Sequence, residues 1–219
     1  MNTLTSSLEF SHFPVMLSEI IQIASPEKGG LFIDCTFGGG SYSNALLKFP
    51  KTKVIGIDRD EAVISRANEL EKKYQKRFKF YQIKFSELDK ILNKNADTII
   101  FDLGLSSIQL KNLNRGFSFK SKNKLDMAMG LNNISAQEAI NNLSEKHLKL
   151  MIKILGEETE ASNIAKNIIK ARSEKKITKV NELVEIIEKS KKKNFSSKIN
   201  PSTKTFQALR IYVNKEISE

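Results

Sequence analysis

Cysteine is nearly missing from this 219-residue chain. Cys35 stands alone, which excludes an internal disulfide and any multi-cysteine metal site. Histidine is almost as scarce, with only His12 and His147, so a zinc centre is not expected and the reading calls for no metal. Long apolar runs are lacking too. Ile99-Ile-Phe101 and Val54-Ile55 fall far short of a membrane span. No basic stretch followed by a long apolar core opens the chain, so no secretory signal is read and the cytoplasm is the expected location.

Acidic residues are what the second half has few of. Residues 1–105 carry 14 basic and 13 acidic side chains, whereas residues 106–219 carry 22 and 12. Nearly all of the net charge of +11 therefore lies beyond residue 105. A basic segment beside a near-neutral core suggests a polyanionic substrate, most simply nucleic acid. A coding bias toward Lys, Asn and Ile would give the same composition, so charge alone leaves that alternative open. The 40% hydrophobic content is ordinary for a globular chain with a buried core.

What is present is concentrated early. Phe32-Ile-Asp-Cys-Thr-Phe-Gly-Gly-Gly-Ser-Tyr42 is an apolar run ending in Asp34, then a glycine cluster, then the start of a helix. Val54-Ile-Gly-Ile-Asp58 follows as a second apolar run closed by an acid. The spacing predicts strand, loop, helix and strand, with glycines where backbone must approach a ligand and a carboxylate able to accept two ribose hydroxyls. Such a unit binds a nucleoside. No Gly-Lys-Ser/Thr follows the glycines, so it is not a phosphate-binding P-loop. A nicotinamide cofactor stays open, but Ser41 occupies the third glycine position, and the pattern reads better as an S-adenosylmethionine loop.

Periodicity predicts helices at 14–24, 41–48, 60–74 and 86–92, and strands at 31–35, 53–57, 78–83 and 97–102. This alternation argues for a parallel, doubly wound α/β sheet. Residues 110–133 show no period and read as an ordered loop. Beyond them Ser135-Ala-Gln-Glu138 is a capping box, and helices follow at 144–155, 158–172 and, capped by Thr178, through Ile187. Ser190–Lys198 reads as a basic linker and 203–216 as a final helix. The expected organisation is a donor-binding core over 1–109, an inserted helical subdomain over 110–200, and a helix returning to the core over 201–219.

Phe101-Asp-Leu-Gly-Leu-Ser-Ser-Ile-Gln109 occupies the segment after the fourth strand. In amine-directed methyltransferases, an acceptor here points the nitrogen lone pair at the methyl group. Asp102, Ser106 and Ser107 offer acceptors, although the serines would equally serve to cap the next turn.

Several long motifs now stand in one order: Asp102–Leu110, Arg115-Gly-Phe-Ser-Phe119, Leu125-Asp-Met127, Gly156-Glu-Glu158 and Pro201-Ser-Thr-Lys-Thr-Phe-Gln-Ala-Leu-Arg-Ile211. With Pro14-Val-Met-Leu17 and the Asp34–Tyr42 loop, they closely resemble the bacterial small-subunit (16S) ribosomal RNA cytosine-N(4) methyltransferases, over residues 12 to 217. The resemblance implies a Rossmann-like methyltransferase core and S-adenosylmethionine as donor. It places donor binding on Gly40, Ser41, Tyr42, Asp58, Phe85, Asp102 and Gln109. Asp102 and Ser106 are the implied catalytic pair, with Arg115, Phe117, Asp126 and Arg210 facing the substrate. Small-subunit ribosomal RNA or a ribosomal particle is the implied partner, and the reading leaves room for a homodimer.

The chain departs from the family pattern at four places. Ser41 replaces a second glycine and is expected to crowd the donor. Ile108 replaces a proline or methionine without expected consequence. Ala128 replaces the arginine of an Asp-Met-Arg-Met motif, removing an RNA contact. The family continues past the final helix with further strands, so the chain reads as C-terminally shortened, with an exposed sheet edge beside the fourth strand. Two other readings follow: a catalytically inactive fragment that binds donor or RNA only, or a small-molecule methyltransferase or dehydrogenase, for which the basic subdomain has no use.

Overall fold

A computed structural model describes residues 14–92, 95–131, 134–191 and 199–219. His12 and most of the expected Ser190–Lys198 linker lie outside the described residues. The chain divides into two compact units, Met1–Gly104 and Leu105–Glu219.

The first unit is built on four parallel strands, β1 (Gly30–Asp34), β2 (Thr52–Asp58), β3 (Phe78–Gln82) and β4 (Thr98–Ile100), in the order β3-β2-β1-β4. The fold is therefore the α/β parallel sheet expected from the alternation. Period-two side chains sort the core into two faces. Phe32, Val54 and Phe78 point to one face, where α1 (Leu17–Ala24), α2 (Ser41–Leu46) and α3 (Ile64–Tyr74) cover them with Ile20, Ile21, Leu46, Ala67 and Leu70. Ile33, Ile55 and Ile57 point to the other, where Phe85, Leu88, Ile91 and Leu92 pack on them. Phe85 and Leu88 lie in 3₁₀ turns over Phe85–Lys90 and Ile91 and Leu92 just beyond them, where an α-helix was expected at 86–92. β4 has no further neighbour among the described residues, and Ile99 and Phe101 are about half exposed there.

Asp34 closes β1 at 0% exposure, and the Ser43 hydroxyl donates to its Oδ2 at 2.7 Å. This contact ties the end of the strand to α2 across the glycine loop. Burial pushes the Asp34 carboxyl up to about 6, partly offset by the Ser43 hydroxyl and by the backbone N–H groups of Thr36 and Ser43.

The second unit is helical. It comprises α4 (Ser107–Lys111), α5 (Ala136–Asn142), α6 (Glu145–Leu155), α7 (Ala161–Glu174), α8 (Val180–Ser190) and α9 (Thr203–Asn214). The region read as a loop, 110–133, thus holds only the last two residues of α4 and a 3₁₀ turn at Leu113–Arg115. A run of five residues is too short to register as periodicity. The predicted capping box forms, with Ser135 Oγ accepting from Glu138 N and the Glu138 carboxylate from Ser135 N. At α8 the N-cap is Lys179 and not Thr178. Glu182 reaches back to the N–H groups of both residues, at 2.8 and 3.0 Å, so a carboxylate one turn into the helix does the capping that a threonine was expected to do.

Leu148, Ile152, Ile164, Ile168, Leu183 and Ile187 form the centre of this core at 0% exposure. α9 packs on α6 and α5 within it, through Phe206, Leu209 and Val213. Glu158, 2% exposed, pairs with Lys191 Nζ at 2.6 Å, and Lys191 also donates to the Pro201 carbonyl at 3.0 Å. The end of α8 is thereby joined to the approach to α9. Asn214, wholly buried, accepts from Met129 N at 2.8 Å and donates to the Met127 and Arg210 carbonyls, each at 2.8 Å.

Two expectations follow. Asn214→Leu strands the buried Met129 N–H and Met127 carbonyl and should destabilise the second unit by on the order of 3 kcal/mol, read as a lower urea midpoint; an unchanged midpoint refutes the clamp. For Asp34, a raised folded-state pKa means the native state holds the proton more tightly than the unfolded chain. Its contribution is complete below about pH 4 and is lost as pH rises through 6, by on the order of 3 kcal/mol. Urea midpoints of Asp34→Asn should lack that decline, and parallel profiles for variant and parent would contradict it.

Candidate functional site

All four strands of the first unit run the same way, so their carboxyl ends share one edge of the sheet. Each end delivers a residue singled out from sequence. After β1 comes the loop to Gly40 and Ser41, β2 ends in Asp58, Phe85 stands three residues beyond β3, and Asp102 two beyond β4. Ligands of open parallel sheets gather at this edge because strand ends and connecting loops converge there.

The loop is fixed from both sides. Cys35 N donates to the Ile100 carbonyl of β4 and Phe37 N to the Ile57 carbonyl of β2, each at 2.9 Å. Phe37, 2% exposed, sends its ring beneath the loop against Phe78 and Phe80, with centroids 5.7 and 5.3 Å apart. Gly40 then has to be glycine. Its φ is +73°, and a Cβ would come within 2.7 Å of the Phe37 ring. At Gly39 a Cβ would meet nothing within 4 Å, so the crest of the loop borders open space. Ser41, the expected crowding residue, is the first residue of α2 and is half-buried.

Asp58 is half-buried, and its carboxylate takes two backbone N–H groups. Gly38 N donates to Oδ2 at 2.8 Å and Asp60 N to Oδ1 at 2.9 Å. Burial raises its pKa and the backbone N–H bonds oppose the rise. A carboxylate oxygen accepts more than one hydrogen bond, so Asp58 holds the loop and keeps acceptor capacity for a pair of hydroxyls. Phe85 lies half-buried, edge-on to the partly exposed Phe101 ring, with centroids 5.3 Å apart. That is an apolar flank fit for a purine.

Tyr42 is the buried backing of the site. Its hydroxyl lies 2.6 Å from the Val15 carbonyl and 3.3 Å from Asp102 Oδ2. One hydroxyl proton cannot serve both well, and the shorter contact takes it. Desolvation, then the Asp102 charge, pushes the Tyr42 phenol up to about 12, so it keeps its proton at neutral pH. Asp102 itself is exposed, and its backbone N–H donates to Thr36 Oγ1 at 2.7 Å.

The remaining sequence candidates belong to the second unit. Ser106 is the N-cap of α4. Its hydroxyl accepts from Gln109 N at 3.3 Å, and Gln109 Oε1 accepts from Ser106 N at 3.0 Å. Gln109 is 7% exposed. This is the capping role weighed for the serines from sequence, formed as a box that Ser106-x-x-Gln109 already spells out. Arg115 donates to the Ala128 carbonyl, and its guanidinium lies 5.3 Å from the centroid of the buried Phe117 ring. Asp126 is half-buried, and its carbonyl accepts from Ala136 N. Arg210 forms a two-pronged pair with Glu216, Nε to Oε1 at 2.8 Å and Nη2 to Oε2 at 2.9 Å. Three residues that sequence reasoning did not single out as site members now matter: Asp34, Thr36 and Phe37, which hold the loop in shape. An acid closing β1 and a phenylalanine among glycines were the available signals.

No group of three or more His, Cys, Asp or Glu side chains able to hold a metal occurs among the described residues. Nor is any described helix long and apolar enough to cross a membrane. Residues 9–219 match the MraW methylase family. The chain is 43% identical over 210 residues to the ribosomal RNA small subunit methyltransferase H of Rickettsia massiliae, covering 95% of this chain and 68% of that protein. The proteins of the same name from Rickettsia canadensis (41% over 213 residues, 97% and 69%) and Orientia tsutsugamushi (42% over 212 residues, 94% and 68%) are similar. With the family matched across nearly the whole chain on a parallel-sheet core, this protein belongs to the MraW methylase family.

Proposed function

We propose that this chain transfers a methyl group from S-adenosylmethionine to the exocyclic N4 amine of a cytidine in small-subunit ribosomal RNA, acting in the cytoplasm on the RNA or on a ribosomal particle. The observation that carries the reading is the convergence of the glycine loop, Asp58, Phe85 and Asp102 on one edge of the sheet. These residues fit a nucleoside-based donor. Asp58 would take the ribose hydroxyls, Phe85 would flank the adenine, and the open crest at Gly39 would admit the methionine portion. Gln109 is the further donor-side residue of this reading, and Arg115, Phe117, Asp126 and Arg210 the substrate-side ones. The relatives' names, all of small-subunit ribosomal RNA methyltransferases, supply the substrate class.

The donor supplies a methyl group already activated by its positive sulfur, so no metal is needed. In the transfer the nitrogen–carbon bond would form as the carbon–sulfur bond breaks, the sulfur would keep that bonding pair, and the amine proton would pass to solvent water beside the exposed Asp102. The difficulty lies with the amine, whose lone pair is delocalised into the cytosine ring. Asp102 has the means to address it. An exposed carboxylate held at the strand end accepts an amine N–H and turns the nitrogen lone pair toward the methyl carbon, an effect of orientation. Ser106, through a hydroxyl already engaged as helix cap, would position the segment after Asp102. The target base must leave its stack to reach such a site. A chain that binds donor or RNA without turnover is not favoured, because the relatives are named as enzymes.

Asp102→Ala should lower methyl transfer to small-subunit ribosomal RNA by at least about 100-fold while leaving the circular dichroism spectrum unchanged. Transfer of labelled methyl, with digestion of the RNA to identify N4-methylcytidine, is the measurement. Undiminished turnover would remove Asp102 from the reaction, and a methyl group found on another nucleoside would overturn the substrate.

A further inference from the structure

The second unit distributes its charge unevenly over three neighbouring helices. α6 buries Leu148, Met151 and Ile152 and turns Lys146, Lys149 and Lys153 outward, all three exposed. At 100° per residue they fall within about 60° of arc and along roughly 10 Å of helix. None of the three side chains joins an ion pair or hydrogen bond among the described residues. α7 packs between α6 and α8 and exposes Lys166 and Lys170 one turn apart. α8 presents the opposite sign: Glu185 and Glu188 face outward and Glu182 is half-buried at its start, against Lys189 alone; Glu182 is paired with Lys175 at 3.2 Å and Glu185 with Lys189 at 3.9 Å. Charge therefore runs from unpaired cations on α6, beside the single acid Glu145, to partly compensated anions on α8.

The arginines that looked most suited to RNA are otherwise engaged. Arg115 is spent on a backbone carbonyl and a buried ring, and Arg210 on Glu216. Arg172 donates to the Ile140 carbonyl. A row of unpaired ammonium groups on a rigid helix is suited to a chain of phosphates: each neutralised phosphate releases counterions, and the row needs no base to read.

We propose that the outward face of α6, formed by Lys146, Lys149 and Lys153, is the phosphate-binding surface through which the second unit grips its RNA substrate, with α8 turned away from the RNA. The assignment rests on the reading that the substrate is RNA and adds which surface carries it. The test is the salt dependence of binding to a transcript of small-subunit ribosomal RNA, measured with the full chain between about 50 and 200 mM salt. Lys146→Gln, Lys149→Gln and Lys153→Gln together should reduce the slope of log affinity against log salt by about 2, from three contacts at about 0.7 each. Affinity for S-adenosylmethionine and the circular dichroism spectrum should not change. Glu185→Gln with Glu188→Gln on α8 is the control and should leave the slope within error of the parent.

An unchanged slope in the lysine variant overturns the assignment, as does an equal change in the α8 variant. A parent that methylates the RNA while the lysine variant keeps its slope shows that the surface is wrong and the reaction right. A parent that methylates no cytidine while the slope still falls shows the converse. Failure of the parent to bind the transcript, with capture of an acidic protein instead, overturns both.

Discussion

The donor-side edge depends on three backbone N–H groups of a single loop. Cys35 bonds to β4, Phe37 to β2, and Gly38 to the carboxylate of Asp58. A glycine loop has the largest conformational entropy to lose on folding, and here no side chain of its own glycines repays that loss. The neighbouring strands do. β1 lies between β2 and β4, and the loop that leaves it borrows one hydrogen bond from each. Phe37, the one bulky residue in the turn, adds an apolar anchor whose ring forbids a Cβ at both Gly40 and Gly56. The glycines are thus set by packing against a phenylalanine as well as by the need for a close approach to a ligand. A turn built this way is fixed before any ligand arrives, so a nucleoside entering it need not meet the cost of ordering the loop.

The second unit solves a different problem. It must keep a surplus of lysine in solution without letting the surplus unfold it. Its core is apolar and continuous from α5 to α9, and the cations that do enter it are answered. Lys191 meets the buried Glu158, and Arg210 meets Glu216. A buried pair of this kind contributes little net stability, because desolvation offsets the attraction, but breaking it is costly. Its value is to fix one arrangement of chain, here the end of α8 against the residues preceding α9. The surplus stays on the outer faces, where water and salt screen it.

Most of this architecture was legible in the sequence because it rests on periodicity. The four strands alternate or run apolar, and their order along the chain with intervening helices left little choice but a parallel sheet. Ends and exceptions were harder. The 3₁₀ turns over Phe85–Lys90 hold Phe85 and Leu88, and with Ile91 and Leu92 just beyond them they make a spacing that a helical period fits as well as a turn does. α4 is one turn and a half, too short for a period, and was signalled only by the capping alternative weighed for Ser106 and Ser107. At α8 the carboxylate of Glu182 reached past the expected threonine cap. For the site, the residues at strand ends could be named because a strand end is a topological place. What could not be read is partnership. Nothing in the order of residues says that Arg210 closes on Glu216 six residues later rather than facing outward.

The placement of Asp102 follows from the same loop that would hold the donor. Its backbone N–H is bonded to Thr36 Oγ1, and Thr36 sits between Cys35 and Phe37, the two residues whose N–H groups fasten the loop to β4 and β2. Any shift of the loop therefore moves Asp102, the acceptor proposed for the amine. Tyr42 strengthens the dependence, because its phenol lies 3.3 Å from the Asp102 carboxylate and belongs to the helix that the loop opens. Since desolvation and the Asp102 charge keep that phenol protonated, it stays neutral beside the carboxylate and does not repel it. In the proposed reaction the donor and acceptor ends would thus be mounted on one small piece of backbone. An in-line transfer gains from this arrangement, since the angle between sulfur, methyl and nitrogen is sensitive to displacements of about 1 Å. The expected effect of Ser41 has to be judged on the same footing. It lies in the first turn of α2, between the loop and Tyr42, so any crowding it introduced would shift donor and acceptor together.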